Sequence, residues 1–183
     1  IKMIKKKSNQ TDSVYPEFWQ SSWLLFVLFI AYTLSFIDRQ ILTLLVGPIQ
    51  ESIGLSDFEI SLLHGFAFAI FFSIAGLPLG RLADHVNRRV IIGTGIATWS
   101  LMTALCGLAK SFGHLFVARM CVGIGEASLM PSAYSMLSDA FPPKKLNTAI
   151  AIFSMGGTLG TGLALIGGGA LITFVSKMDI LNL

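Results

Sequence analysis

Five long apolar runs, parted by short polar or charged intervals, set the plan of the chain: residues 22–46, 58–82, 89–109, 113–138 and 148–174. As a helix rising 1.5 Å per residue, each is long enough to cross a hydrocarbon core of about 30 Å. The pattern predicts an all-α integral membrane protein with five transmembrane helices. Ahead of the first run, residues 1–21 open with Lys2, Lys5, Lys6 and Lys7 and continue through Ser8, Asn9, Gln10, Thr11 and Asp12, a stretch too polar to bury. This reads as a tail leading into an interfacial segment, where Tyr15, Trp19 and Trp23 form an aromatic belt. A secretory signal is the rival reading, but the first run is too long for one and no small-residue cleavage site closely follows it.

Charge then orients the spans. Charged residues make up 13% of the chain and hydrophobic ones 54%, with a mean hydropathy of +0.73, against about 25% charged in a soluble domain. Nine cations (Lys2, Lys5, Lys6, Lys7, Arg81, Arg88, Arg89, Lys144, Lys145) fall in intervals assigned to one side and two (Lys110, Lys177) to the other. Short basic loops stay on the cytoplasmic side, so the N-terminus is expected inside, with the 49–58 interval outside because it carries Glu51 and Asp57 and no cation. The basic residues sit beside apolar spans and are not interleaved with aromatic ones, which argues against a nucleic-acid partner. Cys106 and Cys121 lie inside apolar runs without metal-ligand spacing, so they read as packing residues, and neither a metal nor a cofactor is expected.

Four charged residues lie away from the ends of the spans: Asp38 and Arg39 in the first, Arg119 and Glu126 in the fourth, which runs the opposite way. Unpaired at a helix centre, four such groups would cost on the order of 10 to 14 kcal/mol, so they must face one another or water. Arg119 and Glu126 are seven residues apart and share one helix face, about 10 Å apart along the axis. The span limits put Arg119 level with Asp38 and Arg39, and Glu126 near the midplane. These residues either hold two helices together as structural ion pairs or carry function, as intramembrane charges usually do. Glycines have a plainer part: Gly123 and Gly125, with Gly156, Gly160 and Gly162, leave no side chain between crossing backbones, and Gly156-x-x-x-Gly160 has the small-residue spacing of such crossings. Pro78 and Pro131 each remove one helical hydrogen bond, from the carbonyls of Ile74 and Ala127, and predict kinks. His64 reads as a hydrogen-bonded packing residue ahead of a proton relay, and Phe66, Phe68, Phe71 and Phe72 as packing or lipid-facing residues ahead of a ligand cage.

Between the second and third runs stands Gly80 to Arg89, G-R-L-A-D-H-V-N-R-R, expected to be a cytoplasmic hairpin. It resembles the G-x-L-A-D-R/K-x-G-R-R/K loop of major facilitator superfamily transporters: Gly80, Leu82, Ala83, Asp84, Arg88 and Arg89 fit, whereas His85 and Asn87 depart. In the fourth run A-R-M-C-V-G-I-G-E-A resembles that family's R-x-x-x-G-x-G-x-A signature, and the Asp-Arg pair with this Glu is similar to the set in the Spinster-like branch and its bacterial relatives. The fifth run resembles the Gly-rich antiporter helix but lacks its Gly-Pro pair, so exchange is not inferred.

The resemblance implies a fold of twelve helices in two halves, each built from inverted three-helix units. This chain, which begins at Ile1 and stops at Leu183, is then expected to be most of the first half, residues 22–183 forming a partial bundle. The implied function is secondary transport of a small organic or amphipathic solute by alternating access, coupled to protons, in a bacterial inner membrane. Asp38, Arg39, Arg119 and Glu126 would serve coupling and the cavity, while Gly80, Asp84, Arg88 and Arg89 would gate the cytoplasmic side, with Asp84 and Arg88 latching onto the second half. The implied partners are a small-molecule substrate, protons, membrane lipid and the missing C-terminal half. A membrane enzyme is disfavoured for want of a nucleophile or metal constellation. A non-transporting scaffold or receptor with the same fold is the alternative.

Overall fold

In the computed structural model residues 15–181 are described, so Lys2, Lys5, Lys6 and Lys7 of the expected tail lie outside the described residues. The chain forms α1 (Phe18–Leu44), α2 (Val46–Ile53), α3 (Asp57–Ser61), a π-helical turn (Leu62–Ala67), α4 (Phe68–His85), α5 (Arg88–Cys106), α6 (Phe112–Glu126), α7 (Leu129–Ala140) and α8 (Pro143–Leu181). Four helical stretches are long and apolar enough to cross a membrane: Phe18–Leu44, Asp57–His85, Arg88–Cys106 and Pro143–Ala170. The fifth expected span, 113–138, is divided between α6 and α7.

That division has a local cause. Pro131, the third residue of α7, has no N–H for the carbonyl of Ala127 and its ring crowds that carbonyl. Ala127 and Ser128 keep right-handed helical dihedrals, but the turn tightens: the Ser128 N–H donates to the carbonyl of Gly125 at 3.2 Å and its hydroxyl to the same oxygen at 2.7 Å. Pro78, by contrast, sits inside an unbroken α4.

Two intervals differ from expectation. The presumed external loop 49–58 is largely the short helix α2, which departs from α1 at Leu45, where Pro48 bars continuation on the carbonyl of Leu44. α2 closes on Gly54, whose φ of 74° places it in the left-handed region. Ser56 and Glu59 then cap α3 reciprocally. The ten-residue hairpin is likewise mostly helix: α4 continues through His85, and only Val86 and Asn87 form the turn. Asn87, a departure from the family loop, has a defined job, since its side chain accepts the Arg89 N–H at 3.0 Å and caps α5.

α1 lies along α8, α4 packs against α6 and α7, and α5 packs against the same two. One core joins them through Leu28, Phe68, Ile92, Trp99, Val122, Leu129, Leu137 and Phe153. A smaller cluster of Leu55, Leu63 and Leu115 closes the end nearest α2.

Close backbone approach sets these crossings. A Cβ at Gly156 would lie 3.0 Å from the carbonyl oxygen of Phe29, and one at Gly160 would meet the carbonyl of Thr33. A Cβ at Gly123 would lie 2.8 Å from the carbonyl oxygen of Phe68, and one at Gly125 would lie 3.0 Å from the amide nitrogen of Trp99. Gly95, not singled out by the sequence pattern, faces Gly125 and Ser128 across the α5–α6 contact. Gly162 corrects the sequence reading: among the described residues nothing lies near it, and it takes no part in a crossing between them.

Candidate functional site

α1 brings Ser35, Asp38 and Arg39 to the centre of the bundle. Successive residues on a helix point about 100° apart, so Asp38 and Arg39 turn toward different neighbours. Arg39 reaches α6, where its Nε donates to Glu126 Oε2 at 2.6 Å. The Ser35 hydroxyl, one turn away, donates to the same oxygen at 2.7 Å. Glu126 is 1% exposed and ends α6 beside the break before α7. The Arg39 guanidinium is also ringed by Phe36, Phe68 and Phe72, with ring centroids at 5.0, 4.7 and 5.0 Å, within reach of a cation–π attraction. Phe68 and Phe72 thus line a charged side chain, whereas Phe66 is exposed.

Asp38 instead faces α5, and its Oδ2 accepts the Thr103 hydroxyl at 2.8 Å. Arg119 is 4% exposed, its Nε has no hydrogen-bond partner, and among the described residues no acid lies within ion-pair distance of it. Its guanidinium lies 5.3 Å from the centre of the Phe68 ring. The span limits had set Arg119 level with Asp38 and Arg39; the structure places Arg119 beside Asp38 at the edge of a cavity and pairs Arg39 with Glu126. That cavity, ≈ 430 Å³, is lined by Asp38, Thr103 and Arg119 on its polar side and by Ile41, Leu45, Ile53 and Leu115 among its apolar walls. A cleft of this size, mostly apolar with a few convergent polar groups, is the usual form of a small-molecule site. Nearer α2, His64 Nε2 lies 3.0 Å from Thr43 Oγ1, which ties the π-helical turn to α1.

At the other end, Arg88 forms an ion pair with Asp139 of α7 and donates from Nε to the carbonyl of Ala83 at 3.2 Å. Asp139 was not singled out from sequence; as an acid closing an apolar run beside two prolines, it had read as the start of a loop. Asp84 is exposed on α4 and, with Arg88 and Arg89, borders a ≈ 440 Å³ cleft. Gly80 faces Pro131 at ordinary van der Waals distance. Ser35, Thr103 and Phe68 were also missed as site residues; the only sequence signal for Ser35 was its place inside an apolar run that also carries charge, and Thr103 had none.

A bundle of helices long and apolar enough to cross a membrane, enclosing a few charged groups beside a cleft, is that of an integral membrane protein. The Major Facilitator Superfamily profile matches residues 28–177, and the chain belongs to that family. It is 30% identical over 167 residues to a probable sphingolipid transporter, spinster homolog 2, of Arabidopsis thaliana, covering 79% of this chain and 34% of that protein. It is 31% identical over 140 residues to a probable L-galactonate transporter of Escherichia coli, covering 76% of this chain and 31% of that one. Among solved structures, a bacterial homolog to the human lysosomal transporter Spinster, in an inward-facing and occupied conformation, aligns with a TM-score of 0.79 at 45% identity. That alignment covers 82% of this chain and 32% of the other. The chain therefore spans about a third of the length of these relatives.

Proposed function

We propose that this chain forms the larger part of one half of a secondary active transporter that moves a small organic or amphipathic solute by alternating access, with protons as the coupling ion. The observation that carries the reading is the unequal treatment of two acids in one bundle: Glu126, buried, is held by Arg39, and Asp38, on the cleft, by a neutral hydroxyl with Arg119 close by but unpaired. A carboxyl group in a low-dielectric site changes its proton affinity when a guanidinium approaches or leaves. The arginines keep their charge throughout, so they are the fixed anchors and the acids the movable groups. Rocking of the two halves about the midplane would exchange the neighbours.

The test uses the whole transporter in liposomes, with a sphingolipid and L-galactonate, the cargo classes of the two relatives, as first probes. Asp38→Asn and, separately, Glu126→Gln should lose accumulation driven by an imposed pH gradient by at least about tenfold, the equivalent of roughly 1.4 kcal/mol, yet retain probe binding. Wild-type accumulation in both variants would make the acids structural.

The reading also places Gly80, Asp84, Arg88 and Arg89 at the cytoplasmic gate and the N-terminus inside a bacterial plasma membrane. Arg88 is paired with Asp139, which supports a strut within this half; Asp84 and Arg89 are exposed, and Asp84 is the acid among them that is left for a partner. With Lys144→Cys, an impermeant thiol reagent applied outside intact cells should fail to label the protein and should label it in inverted vesicles. Labelling from outside would reverse the orientation.

A further inference from the structure

The structure assigns to Phe68 a positioning role: its single ring is the shared apolar counter-surface for two guanidinium groups, the half-buried Arg39 from α1 and the buried Arg119 from α6, and so fixes which acid each can reach. The two cations lie 4.7 and 5.3 Å from the ring centre. For Arg39 the ring is one of three, backed by the bond to Glu126. For Arg119 it is the one ring within cation–π distance among the described residues, beside a partnerless Nε and no paired acid. Held there, Arg119 borders the Asp38 cleft without closing onto the carboxylate.

Three features aim the ring. The π-helical turn Leu62–Ala67 ends immediately before Phe68; such a turn inserts one residue into the helix and rotates all that follows by about 100°. Gly123 lets the α6 backbone close onto the Phe68 carbonyl, which pins the residue against the helix that carries Arg119. Phe72, one turn on, stacks on the ring at 5.5 Å and 23°. Phe68 itself is 9% exposed, so its ring is sheltered from the water that would weaken the attraction. Its consequence for coupling rests on the function proposed above; its effect on the arginines does not.

The experiment is therefore read in unfolding, without a substrate. Phenylalanines carrying one, two and three ring fluorines, placed at position 68, keep the ring's shape while draining the negative face that attracts cations. The unfolding midpoint in detergent should fall stepwise with fluorination, the complete loss corresponding to a change in the folding equilibrium between about twofold and about 30-fold. In an Arg119→Met background and in an Arg39→Met background the dependence should persist in reduced form, because the other guanidinium still meets the ring. Phe68→Trp should retain the wild-type midpoint more nearly than Phe68→Leu. A flat fluorine series in the wild type, or the same slope in all three backgrounds, would show that Phe68 only fills space. In the whole transporter, fluorination should lower gradient-driven uptake of the sphingolipid or L-galactonate probe along the same series. If neither probe is transported while the unfolding series holds, the positioning role stands and the functional reading falls.

Discussion

Gly160→Val should leave little folded monomeric protein in detergent, whereas Gly162→Val, two residues on in the same helix, should express and unfold nearly as wild type does. Both changes add the same three carbons to α8. At Gly160 the added Cβ meets the carbonyl of Thr33 and would lie 2.9 Å from the Cβ of Phe36, neither of which is the end of a flexible side chain. Relief requires α1 and α8 to part along their whole contact, and this pairing is the most extensive in the bundle. Overpacking against side chains costs about 1 to 3 kcal/mol; against a backbone that cannot step aside the loss should exceed the upper figure. Gly162 has no neighbour within reach of a Cβ, so its replacement should change stability by no more than about 1 kcal/mol. Monodisperse yield and unfolding midpoint, measured side by side on this chain, decide the matter. Equal loss in both variants would mean that residue volume anywhere on α8 matters, and the close crossing at Gly160 would not be the cause.

The second large effect is expected at the Arg39–Glu126 pair, where stability and function should come apart. Arg39→Met leaves Glu126 almost fully buried with only Ser35 donating to it, and stranding one member of a buried pair typically costs about 3 to 5 kcal/mol. Changing both, Arg39→Met with Glu126→Leu, removes the stranded charge and should restore most of that loss, to within about 1 or 2 kcal/mol of the starting protein. Gradient-driven transport by the whole protein should nevertheless remain absent in the double variant. Should the double variant unfold as readily as the single one, the stabilising part of the pair would lie in its shape and not in its charge balance.

Four of the five expected spans were legible because apolar runs of membrane length have few other uses, and the resemblances between the second and third spans and in the fourth pointed to the family that the profile match shows. Their ends were not, since hydropathy reports where a helix leaves the apolar zone and not where its hydrogen bonds stop: α8 starts at Pro143 and carries Lys144 and Lys145 in its first turn, a position proline favours because no helical N–H is lost there. The π-helical turn has no compositional mark, and the α6–α7 break needs both Pro131 and the packing of Ser128 against Gly95. Within the site, the four charges could be named from sequence but not their pairing. Adjacent residues such as Asp38 and Arg39 diverge by an angle that sends them to different helices, and which helix lies there is a property of the bundle. Thr103 and Phe68 were hidden for a similar reason: a hydroxyl or a phenyl ring in an apolar run looks the same whether it meets lipid or a charge.

The two-residue turn at Val86 and Asn87 has a mechanical counterpart. From His85 to Arg88 the backbone can stretch to about 11 Å at most, so the end of α4 cannot travel far without hauling the start of α5. α7 and α8 are joined in the same way, by Phe141 and Pro142. Arg88 and Asp139 link the two joints side to side. These helix ends therefore form a stiff rim. The opposite face is compliant: α1 is connected to α3 through α2 and Gly54 to Ser56, and α5 to α6 through residues 107–111. A load applied to this half would be transmitted almost undiminished along the rim and absorbed as bending at the other end, so the unit has a built-in fulcrum side and a yielding side.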